Sequence, residues 1–145
     1  MSSYNKITAS FLIEVLGRPP EHLEKTLSNI IERINNEEGV IKIIKKDIKS
    51  PAPLKQQQDL FISFAEIELE AEDINVISGI VFRYMPSNIE IISPEKLSIK
   101  NSNLNDFVNE VTRRLHSYDE IARVIQNEKA ILEKQVKELK NKKHN

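Results

Sequence analysis

Four segments of the chain carry the pattern of β-strands. Residues 9–16, ASFLIEVL, follow a two-residue period of apolar and polar side chains, and Leu60 to Glu70 repeats it. Residues 40–48 combine β-branched side chains with interspersed lysines, and residues 89–93 form a shorter apolar run. We therefore predict four strands. The lysines place the second strand at a sheet edge, where they deter pairing with other chains.

Two segments between these strands have the 3.6-residue period of amphipathic helices. The first begins at Pro19 and Pro20, residues that suit the start of a helix, and the second spans residues 73–85 with Asp73 as its N-cap. Between the second and third strands, SPAPLKQQQD predicts a flexible connection. The predicted buried stripes of the two helices are Leu23, Leu27, Ile30, Ile31 and Ile34, and Ile74, Ile77, Ile80, Val81 and Tyr84.

The predicted order is strand, helix, strand, strand, helix, strand, followed by a long final helix. This order predicts an α+β fold, a ferredoxin-like βαββαβ sandwich whose first and third strands lie at the centre of the sheet. We expect residues 1–100 to form this domain and residues 101–145 to form a long amphipathic coiled-coil helix with a basic tail.

The final segment carries a heptad repeat, in which apolar residues recur in alternating steps of four and three. Ten of the eleven positions on this seam are apolar, and the exception is Lys129. At 1.5 Å per residue such a helix is roughly 54 Å long, too long to be covered by a domain of about 100 residues. The predicted seam comprises Leu104, Val108, Val111, Leu115, Tyr118, Ala122, Ile125, Lys129, Leu132, Val136 and Leu139.

This seam predicts a homodimer joined through the final helix. The two seam positions of each heptad are called a and d. In this register Val108, Leu115 and Lys129 occupy a positions, and Leu132 and Leu139 occupy d positions. Valine at a with leucine at d, and a single polar a residue, favour a two-stranded parallel pair. In a parallel pair the attraction between Arg114 and Asp119 nearly cancels the repulsion between Glu128 and Glu133, so charge alone does not decide the orientation. An antiparallel pair and packing against the chain's own domain therefore stay open.

A second predicted contact surface lies on the sheet face that the helices of the sandwich leave open. It comprises Leu12 and Leu16 from the first strand and Leu60, Ile62 and Phe64 from the third. Beyond it, Glu66, Glu68 and Glu70 share one face of the third strand. We expect them to pair with Lys42 and Lys46 across the sheet, which favours a charge-paired surface over acid–base catalysis.

Composition argues for binding and against catalysis. The 145 residues contain no cysteine, and 21 Lys plus Arg balance 22 Asp plus Glu. The lack of cysteine suits the cytoplasm, and no apolar run predicts a membrane span. The three glycines and three histidines are too dispersed for a phosphate loop or a metal site, so we predict no enzyme, cofactor or metal. Nucleic acid is an alternative partner that the balanced charge does not favour.

The first strand-to-helix junction, IEVLGRPPEHLEKTL, resembles the ACT domain, a ferredoxin-like regulatory module. The resemblance implies that Gly17, Arg18, Pro19 and Pro20 form a candidate effector loop for a small metabolite. Pro20 departs from the family, which often has glycine there, because proline offers no backbone N–H to a ligand oxygen.

The whole chain also resembles a family of small uncharacterised archaeal proteins. The shared segments are GRPPEHL at residues 17–23, PSNIEIISPEKL at residues 86–97 and TRRLHSYD at residues 112–119. This resemblance implies no function. The leading expectation is therefore a non-enzymatic homo-oligomeric interaction or regulatory protein, with a metabolite sensor and an RNA- or ribosome-associated adaptor as alternatives.

Overall fold

The computed structural model describes residues 6–144 and contains an antiparallel sheet with three helices. Its elements, in chain order, are β1 (Ile7–Gly17), α1 (Pro20–Asn35), β2 (Val40–Ile48), β3 (Ala52–Pro53), β4 (Phe61–Ala71), α2 (Ile74–Tyr84), β5 (Asn88–Ser93) and α3 (Asn101–Lys143). The chain divides into two compact units, Met1–Asn103 and Leu104–Asn145. The boundary expected from the sequence follows residue 100.

The strand order in the sheet is β2-β4-β1-β5, with β3 paired to the start of β4. All of these pairings are antiparallel. The predicted first and third strands, β1 and β4, are therefore central, and the lysine-rich β2 is an edge strand. This confirms the α+β class and the ferredoxin-like order of elements.

The core forms where one face of β1 and β4 meets α1 and α2. Alternate residues of the two central strands point to this face, and Phe11 and Ile67 lie directly opposite each other with no exposed surface. Leu27 and Ile34 cover them from α1, and Ile80 covers them from α2. Thus α1 and α2 cover one face of the sheet.

The start of α2 has the residue type expected for a helix N-cap, but its end does not have the residue type expected for a C-cap. At its start the side chain of Asp73 accepts a hydrogen bond from the backbone N–H of Val76 at 3.1 Å, as predicted for an N-cap. At its end Met85 adopts a left-handed conformation with φ of 47°. Glycine or asparagine usually takes this position, so the methionine gives no signal of the helix end in the sequence.

The alignment of lysines and glutamates expected between β2 and β4 is only partly present. Lys42 lies opposite Glu70, as predicted, but Lys45 and not Lys46 lies opposite Glu68. Two irregularities in the pairing, between Val40 and Lys42 and between Ile43 and Lys45, shift the register. Such bulges insert an extra residue on one strand, and the sequence alone did not reveal them.

The connection predicted as flexible contains a short strand. Ala52 and Pro53 pair with Ile62 and Phe61, and the backbone N–H of Leu54 donates to the carbonyl of Leu60 at 2.9 Å. Proline is tolerated there because β3 pairs only with β4. The connection therefore extends the sheet beside the start of β4.

A polar cluster ties the loop after α1 to the end of α2. Glu37 accepts hydrogen bonds from the hydroxyl of Tyr84 at 2.7 Å and from Arg83 at 2.9 and 3.1 Å. The hydrogen bond from Tyr84, with the help of Arg83, lowers the pKa of Glu37. Burial, followed by the hydrogen bond to Glu37, raises the pKa of Tyr84. The cluster therefore holds an ionised carboxylate against a neutral phenol.

Candidate assembly interface

The seam of α3 is the most extensive apolar surface that the sequence predicted, and α3 presents it to solvent. The helix spans 43 residues, and none of them is buried. The large apolar side chains of the seam have exposed fractions between 43% for Leu104 and 66% for Leu139, except that of Val111, which is half-buried. Such a continuous stripe is the surface that a partner helix covers in a coiled coil.

The distal part of this seam forms a groove of about 430 Å³. Its apolar walls are Ile125, Leu132 and Val136, and Lys129 lies among them. The Lys129 ammonium lies 3.8 Å from the Glu133 carboxylate, one turn further along α3. This exposed ion pair draws the charge toward the rim, and the aliphatic stem stays beside the apolar residues.

A charged cluster occupies the proximal part of α3. Glu110 accepts hydrogen bonds from Arg113 at 2.5 and 3.0 Å and from Arg114 at 2.9 Å. The hydrogen bonds from the two arginines, with Arg113 the stronger contributor, lower the pKa of Glu110 to about 2. Ion pairs at these spacings support a helix whose apolar face is uncovered.

The open sheet face brings most of the second predicted surface together. Leu16 lies directly opposite Ile62, Phe64 lies in the next row of the same face, and Leu12 lies one row further. Leu16 and Phe64 are exposed, and Leu12 and Ile62 are half-buried. Leu60 precedes β4 and is held instead by backbone hydrogen bonds to Leu54 and Gln57.

Carboxylates lie beside these apolar residues. Glu14 lies opposite Phe64, and Glu66 lies opposite Leu12, so carboxylates border the apolar residues. Glu68 and Glu90 flank Ser10 on either side. Further along the same face Lys42 and Lys45 lie opposite Glu70 and Glu68, and Lys6 forms an ion pair with Glu70 at 3.2 Å, so the charge of the face is mixed.

The candidate effector loop lies between β1 and α1. Pro19 is the N-cap of α1 and forms no side-chain cap hydrogen bond, and Pro20 is the first helical residue. Arg18 forms an exposed ion pair with Asp59, which precedes β4. An anionic effector at this loop would therefore compete with Asp59 for the guanidinium.

The edge strand β5 exposes apolar side chains that were not among the predicted contact residues. All six residues of β5 are exposed, including Ile89, Ile91 and Ile92. Ile89 and Ile91 pair with the core residues Phe11 and Ala9, so they extend the helix-covered face of the sheet to its margin. The predicted sheet order already made this strand an edge, but it was not expected from the sequence to be a contact surface.

Within residues 6–144, no helix combines the length and the apolar character needed to cross a membrane. The same part of the chain contains no group of three or more histidine or acidic side chains arranged to hold a metal ion.

Comparison with known proteins gives one match. Neither the curated proteins nor the solved structures contain a significant match to the chain. One family model matches almost its full length, from the second residue of β1 to the end of α3 and beyond. On this match over residues 8–145, the chain belongs to the MJ0538 family.

Proposed function

We propose that the protein is a non-enzymatic, homo-oligomeric interaction protein whose copies are joined through the seam of α3. The observation that carries this proposal is the exposure of a heptad repeat over the length of a 43-residue helix. Isolated apolar residues on a surface are ordinary, but a continuous stripe of them marks an interaction site.

The regular spacing of the stripe supports another helix as the partner. Apolar residues at alternating steps of four and three form the knobs and holes of coiled-coil packing, and a second copy supplies the matching pattern without any further component. Burying one Leu or Val side chain fully contributes about 1.5–3 kcal/mol to the free energy of association. Several such layers offset the entropy lost when two chains associate.

The apolar part of the open sheet face is a second proposed contact surface. Leu16, Ile62 and Phe64 lie in two neighbouring rows there, and Leu12 lies in the row after Phe64. The carboxylates of Glu14 and Glu66 border them, which favours a protein partner that combines apolar and basic groups. The assembly would then present this face as its means of interaction.

The experiment compares full-length variants by light scattering. Ile125→Glu with Leu132→Glu places two carboxylates on the seam, and we expect the wild-type dimer to become a monomer. The matched control, Asn127→Glu with Asn141→Glu, adds the same charge on the opposite side of α3 and leaves the dimer intact. A wild-type mass that neither pair of substitutions changes would contradict assembly through the seam.

A further inference from the structure

We infer that the two α3 helices pair antiparallel, with Leu115 and Tyr118 of one copy filling the groove between Ile125 and Val136 of the other. This inference rests on the proposed pairing through α3 and specifies its orientation and register. Valine at a positions and leucine at d positions favour a parallel pair. The antiparallel pair replaces it because the other seam residues, Lys129 and Ala122, also affect the orientation.

A parallel pair conflicts with the residues that interrupt the seam. Each seam residue then faces its own copy, so the Lys129 ammonium meets a second Lys129 ammonium inside the groove. Ala122 would face Ala122, which leaves too little side-chain volume to fill that layer. Glu133 lies 3.8 Å from Lys129 and offsets part of the repulsion. In a parallel pair, however, Glu133 also faces Glu128 of the second copy.

An antiparallel pair removes these conflicts because each a residue faces a d residue. With Lys129 opposite Tyr118 of the second copy, Ala122 lies opposite Ile125, so a small side chain meets a large one. The lysine stem packs along the tyrosine ring, and its ammonium lies beside the ring face or the hydroxyl. The remaining layers pair Val108 with Leu139, Val111 with Val136, and Leu115 with Leu132.

The residues beside the seam are compatible with the same register. In an antiparallel pair g residues meet g residues and e residues meet e residues. Arg114 then lies near Gln135 of the second copy, and Asp119 lies near Gln126. Glu133 lies near Thr112. No two like charges meet among these flanking pairs. The parallel register brings Glu128 against Glu133 twice, but it also brings Arg114 against Asp119 twice, so its flanking charges nearly cancel.

The groove on α3 fits this arrangement. Its middle lies between Lys129 and Leu132, and the second copy presents Tyr118 and Leu115 at that level. These side chains are apolar over most of their surface, as are the groove walls of Ile125, Leu132 and Val136. A parallel partner would instead place Lys129 and Leu132 there. The antiparallel occupant therefore avoids burying two ammonium groups in one groove.

The test uses cysteine cross-linking in the full-length chain, which has no cysteine of its own. Three variants are compared under mild oxidation with oxidised glutathione: Val108→Cys, Leu139→Cys, and both substitutions together. In the antiparallel register, position 108 of one copy faces position 139 of the other. We therefore expect the double variant to form a covalent dimer and each single variant to remain uncross-linked.

The outcomes separate this inference from the proposal on which it rests. Positions 108 and 139 are about 46 Å apart along one helix, so they form no disulfide within a chain. Efficient cross-linking of the Leu139→Cys single variant would establish a parallel pair and overturn the inference. Light scattering of the same samples under reducing conditions reports the non-covalent dimer. A monomer there would contradict the pairing itself, whatever the orientation.

Discussion

At the scale of single residues, the contacts that the sequence could not predict are those between distant positions. Glu37 and Tyr84 are separated by 47 positions, and Arg18 and Asp59 by 41. Neither pair has a local pattern, because the sheet and not the chain order brings them together. Asp73 could be predicted because a helix N-cap acts on a backbone N–H only three residues away.

The Glu37 cluster leads to a prediction about pH. Tyr84→Phe removes a hydrogen bond to an ionised carboxylate, so we expect the free energy of unfolding at pH 7 to fall by about 1.5–3 kcal/mol. The pKa of Glu37 is lower in the folded state. Its stabilisation is therefore present above the unfolded value, near about 4.3, and is lost as pH falls through the lower folded value.

The measurement is urea unfolding followed by circular dichroism, from pH 7 down to the acid range. We expect the difference between the wild type and Tyr84→Phe to shrink toward low pH, where Glu37 becomes protonated in both. Glu37→Gln serves as the control, since it should flatten this part of the pH dependence. A difference that stays constant through the acid range would show that the hydrogen bond does not depend on the carboxylate charge.

At the scale of elements, the periodicity of the sequence predicted the strands and helices that depend on a local pattern of apolar residues. The alternation in residues 9–16 and 60–70 gave β1 and β4, and the apolar face of each strand points to the core as expected. Periodicity could not predict the bulges of β2 or the two-residue strand β3, which depend on how the backbone fits its neighbour. The seam of α3 is visible in the sequence because a heptad repeat is local by nature.

Lys129 provides a prediction at the scale of α3. Lys129→Ile should raise the melting temperature and tighten the dimer at least tenfold, because an aliphatic residue at an a position gains burial that an ammonium does not. The substitution also removes the exposed ion pair between Lys129 and Glu133, but such a pair contributes only about 0–1 kcal/mol to stability.

Differential scanning calorimetry and sedimentation equilibrium measure the two effects. Lys134→Ile is the matched control, because it makes the same lysine-to-isoleucine substitution on the side of α3 opposite the seam. It should leave the dimer affinity unchanged. A melting temperature for Lys129→Ile equal to or below that of the wild type would mean that Lys129 lies outside the interface.

At the scale of the whole molecule, the two units differ in how they bury apolar surface. The unit Met1–Asn103 encloses a core between its sheet and two helices, with Phe11, Leu27 and Ile67 buried. The unit Leu104–Asn145 consists of one helix and buries none of its described residues. A single helix depends on tertiary packing for most of its stability. The second unit therefore has a physical reason to associate, and the sequence indicated this through its heptads.

The central claim, that α3 joins copies of the chain, is tested most directly by the mass of the full-length protein in solution. Light scattering at micromolar concentration should give at least twice the chain mass of 16.7 kDa. Dilution should shift the mass toward that of one chain, because the association depends on concentration. A mass of one chain at micromolar concentration, with α3 helical by circular dichroism, would contradict the account.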